Sequence, residues 1–124
     1  MRSLDPFLVE ENATIKEAIL QIEQNNCRCV VVVGRGKKRT VTGVFSQGDV
    51  LRAILDGVDV HTPLNRVVSP TFKYLKSRDL AKAADYIRRG LTLVPVLDNS
   101  YVLKDVITFF DVMDSYGPTK PQSS

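Results

Sequence analysis

Gly43-Val44-Phe45-Ser46-Gln47-Gly48-Asp49-Val50 and Asp105-Val106-Ile107-Thr108-Phe109-Phe110-Asp111-Val112 are two versions of one pattern. Both hydroxyls and both aspartates stand 62 positions apart. Each copy reads as an apolar strand end, a hydroxyl, two variable residues, an aspartate and an apolar helical run. Repetition near this period means two copies of one supersecondary unit that stack to share a core. The small polar residues at the two strand-to-helix turns are then the first place to look for a ligand.

The repeat extends upstream. Ile15, Ala18, Ile19 and Ile22 follow the i, i+3, i+4, i+7 spacing of one apolar helix face. Leu80, Ala83, Ala84 and Ile87 give the same pattern 65 positions later, and Phe7 and Phe72 are also 65 apart. The offset falls from 65 to 62 before the motif, so the first copy carries about three extra residues. The turn-like basic stretch Gly34-Arg35-Gly36-Lys37-Lys38-Arg39 is the simplest place for them.

A length of 124 residues fits one domain, and two halves of roughly 60 would each bury a marginal core alone. The apolar share of 44% and charged share of 25% are those of a soluble globular protein. No apolar run approaches the roughly 20 residues needed to span a bilayer. The opening Met1-Arg2-Ser3-Leu4-Asp5-Pro6 lacks the apolar core of a signal peptide, so a cytoplasmic location without membrane contact is expected. Met1 reads as a natural start. Cys27 and Cys29 could share one strand face, but with a single His61 far along the chain they do not complete a tetrahedral site. No metal is expected. The net charge of +3 owes much to Arg35, Lys37, Lys38 and Arg39, which read first as a solvated hairpin tip. Contact with a polyphosphate or a weak nucleic-acid patch is the alternative, and nucleic acid is not the leading reading.

The first copy reads strand (about 6–10), helix (about 14–25), strand (about 28–33), basic turn, strand (about 41–46) and helix (about 47–56). Thr14-Ile15-Lys16-Glu17 is a capping box, and Asn25-Asn26 ends that helix. The β-branched run from Cys29 to Val33 suits a strand covered on both faces. After a turn-rich connector over 56–63, the second copy reads strand (about 71–75), helix capped by Asp79 (about 79–89), a stop at Gly90, strand (93–97), turn, strand (about 101–107) and helix (about 109–115). Pro95 removes a ladder donor, so it belongs at a strand edge or start. The fold class is α/β (α+β), two β-α-β-β-α repeats stacked as a pseudo-twofold pair, with repeats over 1–62 and 63–116 and a disordered tail at 117–124.

Ser46-x-x-Asp49 and Thr108-x-x-Asp111 also match the capping box, and for a single occurrence capping alone suffices. The same geometry can recognise a nucleotide. A helix N-terminus attracts phosphate, a neighbouring hydroxyl can donate to it, and a carboxylate one turn on can accept from both hydroxyls of a ribose.

These residues, with Val94-Pro95-Val96-Leu97-Asp98 ahead of the second motif, resemble a tandem CBS domain pair, often called a Bateman module, over about residues 4–115. The first copy, from Asp49 to Gly57, is similar to CBS pairs attached to sugar-phosphate nucleotidyltransferases. The resemblance implies a regulatory sensor with no catalytic residues and no cofactor. Its ligand would be AMP, ADP or ATP, with S-adenosylmethionine ranked behind them, held in the cleft between the copies. A homodimer and an unknown regulated protein are the implied partners. Carried over by position, Asp49 and Asp111 would hold ribose, and Ser46 and Thr108 would contact phosphate. Backbone near Cys29-Val30 and Val94-Pro95 would border adenine, and Phe72 and Lys73 would help close a site. Arg52, one turn after Asp49, is a candidate phosphate partner. Asp105 stands where the first copy has Gly43, and Phe109-Phe110 where the family has a polar pair, so one occupied site or two stays open. A ligand-free interaction or dimerisation module is the alternative function. An enzyme fits worst, because no nucleophile with an adjacent base is visible.

Overall fold

The computed structural model describes residues 2–116. The tail expected at 117–124 lies outside them. A 3-10 turn at Asp5–Phe7 leads into β1 (Leu8–Glu10), which runs parallel to β2 (Cys29–Val33). β2 pairs antiparallel with β3 (Val41–Ser46). Between β1 and β2 lies α1 (Ile15–Asn25), and α2 (Gln47–Leu55) follows β3. The second copy contributes α3 (Leu80–Arg88), the antiparallel pair β4 (Leu93–Leu97) and β5 (Leu103–Thr108), and α4 (Phe109–Tyr116). Each helix begins where its sequence signals a start. Thr14 and Glu17 form the reciprocal capping box of α1, and the Asp79 carboxylate accepts from the Lys82 amide at 3.1 Å. Asn26, in the left-handed region at φ 58°, ends α1.

The strand expected over 71–75 is reduced to one parallel bridge, Leu75 to Val96. Pro95 supplies the physical reason. The Leu75 amide donates to the Pro95 carbonyl at 3.0 Å. The nitrogen of Pro95 faces that same outer side of β4, and it has no proton to give. Proline therefore lies at mid-strand, but on the open edge of a two-stranded sheet.

The two central strands are buried on both faces. Val30 and Val32 of β2 pack with Ile15, Ala18, Ile22 and Phe45 beneath the helices of the first copy. The alternate residues Cys29, Val31 and Val33 pack instead with Leu93, Leu97, Leu103 and Val106 of the second copy. Val94 and Val96 turn the other way, onto Ala83 and Ile107. Period-two alternation thus assigns one face of each strand to its own helices and the other to the opposite copy.

The pseudo-twofold axis can be located by residue. Thr40 bridges antiparallel to Val102, its own counterpart at the 62 offset. The flanking bonds are reciprocal: the Val41 amide donates to the Tyr101 carbonyl at 2.8 Å, and the Leu103 amide to the Arg39 carbonyl at 3.0 Å. At the far end the Thr92 hydroxyl donates to the carbonyl of Cys27, its counterpart at the 65 offset.

Gly43 is required by close approach. A Cβ at that position would lie 2.5 Å from Val68 Cγ2 and 2.8 Å from the Ser69 carbonyl oxygen, where the chain after the connector passes β3. Gly43→Ala is expected to destabilise by about 1–3 kcal/mol in urea denaturation, as overpacking does. A variant as stable as the parent would show that the connector yields freely there.

Candidate functional site

The first motif is built as a cap. The Ser46 amide and hydroxyl both donate to Asp49 Oδ2, at 2.8 and 3.0 Å, and the Asp49 amide donates back to the Ser46 hydroxyl at 3.2 Å. This fixes the carboxylate over the first turn of α2. The cap also places hydroxyl, carboxylate and helix N-terminus at the mouth of a cleft of about 380 Å³ between the copies. That volume lies within the range of about 300–1,000 Å³ usual for small-molecule sites. The first copy lines it with Arg28, Cys29, Val44, Ser46, Gly48 and Asp49, and the second with Lys73, Leu91, Thr92 and Leu93. Apolar walls, two cations, two hydroxyls and a carboxylate therefore converge in one concavity.

The structure thus brings Ser46, Asp49 and Lys73 together. Arg52 pairs with the Asp49 carboxylate on the exposed side of α2 and is not among the lining residues. Val30 and Val94 are fully buried in the cores beneath their own helices, on the sheet faces turned from the cleft. Pro95 is buried and does not line it. Cys29 and Leu93, one residue earlier on each strand, line it instead, as the alternation of a strand dictates. Phe72 is half-buried against the shared core, its ring 5.6 Å from that of Tyr74. Arg28, Thr92 and the Gly90–Leu91 turn are lining residues that the motif did not reveal. Thr92 was available from the sequence as the counterpart of Cys27.

The second motif repeats the cap, and beside it lies a hollow of about 350 Å³ lined by Cys27, Arg28, Thr92, Phe109 and Phe110, but neither Thr108 nor Asp111 lines it. The Thr108 amide donates to Asp111 Oδ2 at 2.9 Å, and the Asp111 amide to the buried Thr108 hydroxyl at 3.1 Å. Arg2 reaches across the chain and donates to both oxygens of Asp111, at 2.9 and 2.7 Å. Its guanidinium also contacts the Val106 carbonyl and lies 5.4 Å from the Phe7 ring centroid. Asp105, at the Gly43 position, holds Arg78 at 2.7 Å. Burial pushes the Asp111 carboxyl up. The hydrogen bond from Arg2, the Thr108 amide and the charges of Arg2 and Arg78 outweigh that and hold it below the ordinary value of 3.8. A separate hollow of about 470 Å³ between α3 and α4 is walled by Ala81, Ala84, Ile87, Val112 and Met113 and has no carboxylate or hydroxyl.

Burial, reinforced by Asp49 and Cys27 and opposed by a hydrogen bond from the Phe45 backbone, pushes the Cys29 thiol up to about 12. Near neutral pH it is a protonated apolar wall and no nucleophile. Among the described residues no group of three His, Cys, Asp or Glu is placed to hold a metal ion. No helix among them is long and apolar enough to cross a membrane.

Known proteins agree with this architecture. Residues 1–56 match the family model of the CBS domain. Over 101 residues the chain is 30% identical to arabinose 5-phosphate isomerase GutQ from Escherichia coli O6:H1, an alignment covering 80% of this chain and 31% of that protein. The chain therefore spans about a third of the length of that curated relative. A CBS domain protein from Pyrobaculum aerophilum, solved in complex with AMP, superimposes with a TM-score of 0.70 at 23% identity, over 90% of this chain and 89% of that one. The CBS domains of a transcriptional regulator from Streptococcus pneumoniae give 0.70 at 22% identity, over 91% and 92%. The first half of the chain thus matches the CBS domain, and the whole chain has the fold of a CBS domain pair. CBS domains are in general regulatory, non-catalytic modules. The relative is a sugar-phosphate isomerase, where the sequence resemblance pointed to sugar-phosphate nucleotidyltransferases.

Two outcomes follow from these environments. In the folded protein at pH 8, Cys29 is expected to resist iodoacetamide and to react once urea unfolds the chain. Rapid alkylation of Cys29 in the native state, read by mass spectrometry, would contradict the buried protonated thiol. Because Asp111 is depressed on folding, its contribution to stability is present above the unfolded value of 3.8 and lost as pH falls through the folded one. The stability gap between wild type and Asp111→Asn should therefore be open at neutral pH and close below about pH 3.8. A gap that stays constant down to pH 2 would refute the assignment.

Proposed function

We propose that this chain is a regulatory module that binds an adenine nucleotide (AMP, ADP or ATP) in the cleft between its two copies and passes the binding state to a partner protein. The observation that carries this reading is the convergence of Ser46, Asp49, Lys73 and Arg28 on one cleft with apolar walls. Asp49 accepts from the ribose hydroxyls, in exchange for its surface pair with Arg52, whose side chain is 70% exposed and loses little by returning to water. The Ser46 hydroxyl, the first turn of α2, Lys73 and Arg28 meet the phosphates. Cys29, Val44 and Leu93 flank the base. The Pyrobaculum aerophilum protein, which has the same fold and was solved with AMP, supports the choice of ligand. Because the cleft is made by both copies, a nucleotide tightens the joint between them, and the signal is limited to its differential affinity for the two arrangements.

The repeats divide at 62/63 in this reading, and the setting is cytoplasmic, in keeping with two free thiols. The regulated protein is unidentified, and sugar-phosphate metabolism is the first place to look given the isomerase relative. Leu51, Ile54 and Leu55 on α2 are large exposed apolar residues and favour self-association into a homodimer. They also favour the alternative reading, a ligand-free dimerisation or interaction module.

Calorimetry with AMP, ADP and ATP separates the two. At 100 times its dissociation constant a ligand adds about 2.7 kcal/mol to stability, a shift plainly visible in a thermal melt. Asp49→Ala should abolish the response while costing about 1 kcal/mol as a lost cap. Asp79→Ala, a cap remote from the cleft, should lose similar stability and keep the response. No adenine nucleotide binding below millimolar would leave the dimerisation reading in place.

A further inference from the structure

The geometry points to Arg2 as an internal occupant of the second cleft, one that holds the chain at a single nucleotide and whose release opens a second site. This rests on the first cleft being a nucleotide site, and the internal repeat itself supplies the map. Val44 and Asp49 line the open cleft; their counterparts at the 62 offset are Val106 and Asp111, and Arg2 donates to both. A guanidinium that contacts two positions equivalent to the wall of the first cleft, Val106 and Asp111, stands where the first copy offers its ligand site.

The two aspartates differ in how they can be freed. Arg52 comes from the same helix, three residues on, and its side chain is 70% exposed. Its departure restores water to both groups and uncovers nothing. Arg2 arrives from 109 residues away in sequence, engages both carboxylate oxygens and a backbone carbonyl, and is backed by Phe7. While it stays, neither oxygen of Asp111 is open to a ribose hydroxyl. The residues around it fit an internal occupant. Phe109-Phe110 replaces Gln47-Gly48, so rings stand where the first copy has a glycine, and Asp105 fastens Arg78 beside the pair. Nucleotide and Arg2 therefore compete for one carboxylate, and whatever displaces the Arg2–Leu4 segment acts on the occupancy of the second cleft.

Saturation binding of AMP, counted as moles per chain, tests this with wild type, Asp49→Ala, Arg2→Ala and the double variant Arg2→Ala/Asp49→Ala. Arg2 is on the surface and outside all three cores, and far-UV circular dichroism confirms folding, with Arg2→Gln as a second replacement. One, zero, two and one AMP respectively are expected. A double variant that binds no AMP overturns the inference, and so does a wild type that binds two. Wild type binding none while the double variant binds one would sink the reading of the first cleft and uphold the occupant. Wild type binding one with no gain in either Arg2 variant would do the reverse.

Discussion

Burial of β2 and β4 on both faces is the constraint on which the rest of the molecule depends. Neither copy can cover its own central strand. The helices of the first copy take Val30 and Val32 and leave Cys29, Val31 and Val33, which only the second copy can cover. Leaving such a row in water would expose several fully apolar side chains, each worth about 1.5–3 kcal/mol when buried. The copies are therefore obliged to stack, and the stacking brings Cys29 of one strand and Leu93 of the other to the same cleft. The site is a by-product of the core: the seam that buries these residues ends in the concavity where the polar groups converge.

From that seam the chemistry follows by strand geometry. A strand delivers its last residue to the start of the next helix, so Ser46 and Thr108 reach the sheet margin as helix caps. Both caps are fully formed, and capping alone accounts for their hydroxyls and carboxylates. What distinguishes the two is their surroundings. The first motif faces Lys73 and the Gly90–Leu93 segment across open space, whereas the second faces Arg2 and two phenylalanines. A pseudo-symmetric scaffold has thus been given unequal occupants by a few side chains at equivalent positions.

The fold was legible in the sequence because its signals are local and doubled. The 62-residue and 65-residue offsets, the capping residues and the valine-rich strand each need only a short window, and their repetition removes chance. The strand expected over 71–75 failed because its absence is decided at Pro95, whose missing proton faces an edge that sequence alone could not orient. The side chains of Val30 and Val94 turn into the cores beneath their own helices, one pleat step from the cleft-lining Cys29 and Leu93, because a one-residue step moves a side chain to the other face. Arg2 was invisible for a different reason. A contact spanning 109 residues has no local pattern, and nothing in Met1-Arg2-Ser3 marks it as a partner for Asp111. Arg28 was hidden similarly: it sits at φ 59° in a left-handed turn ahead of β2, where the sequence pattern suggests only the start of a strand.

Binding of an adenine nucleotide in the cleft formed by Ser46, Asp49, Lys73 and Thr92 is what the proposed function turns on. Backbone amide chemical shifts of isotope-labelled protein, followed during titration with AMP, test it most directly. Saturable shifts are expected at Ser46, Gly48, Asp49, Lys73 and Thr92, with little change at Ala84 and Met113 in the hollow between α3 and α4. Shifts centred on that hollow, or none anywhere at millimolar AMP, would contradict it.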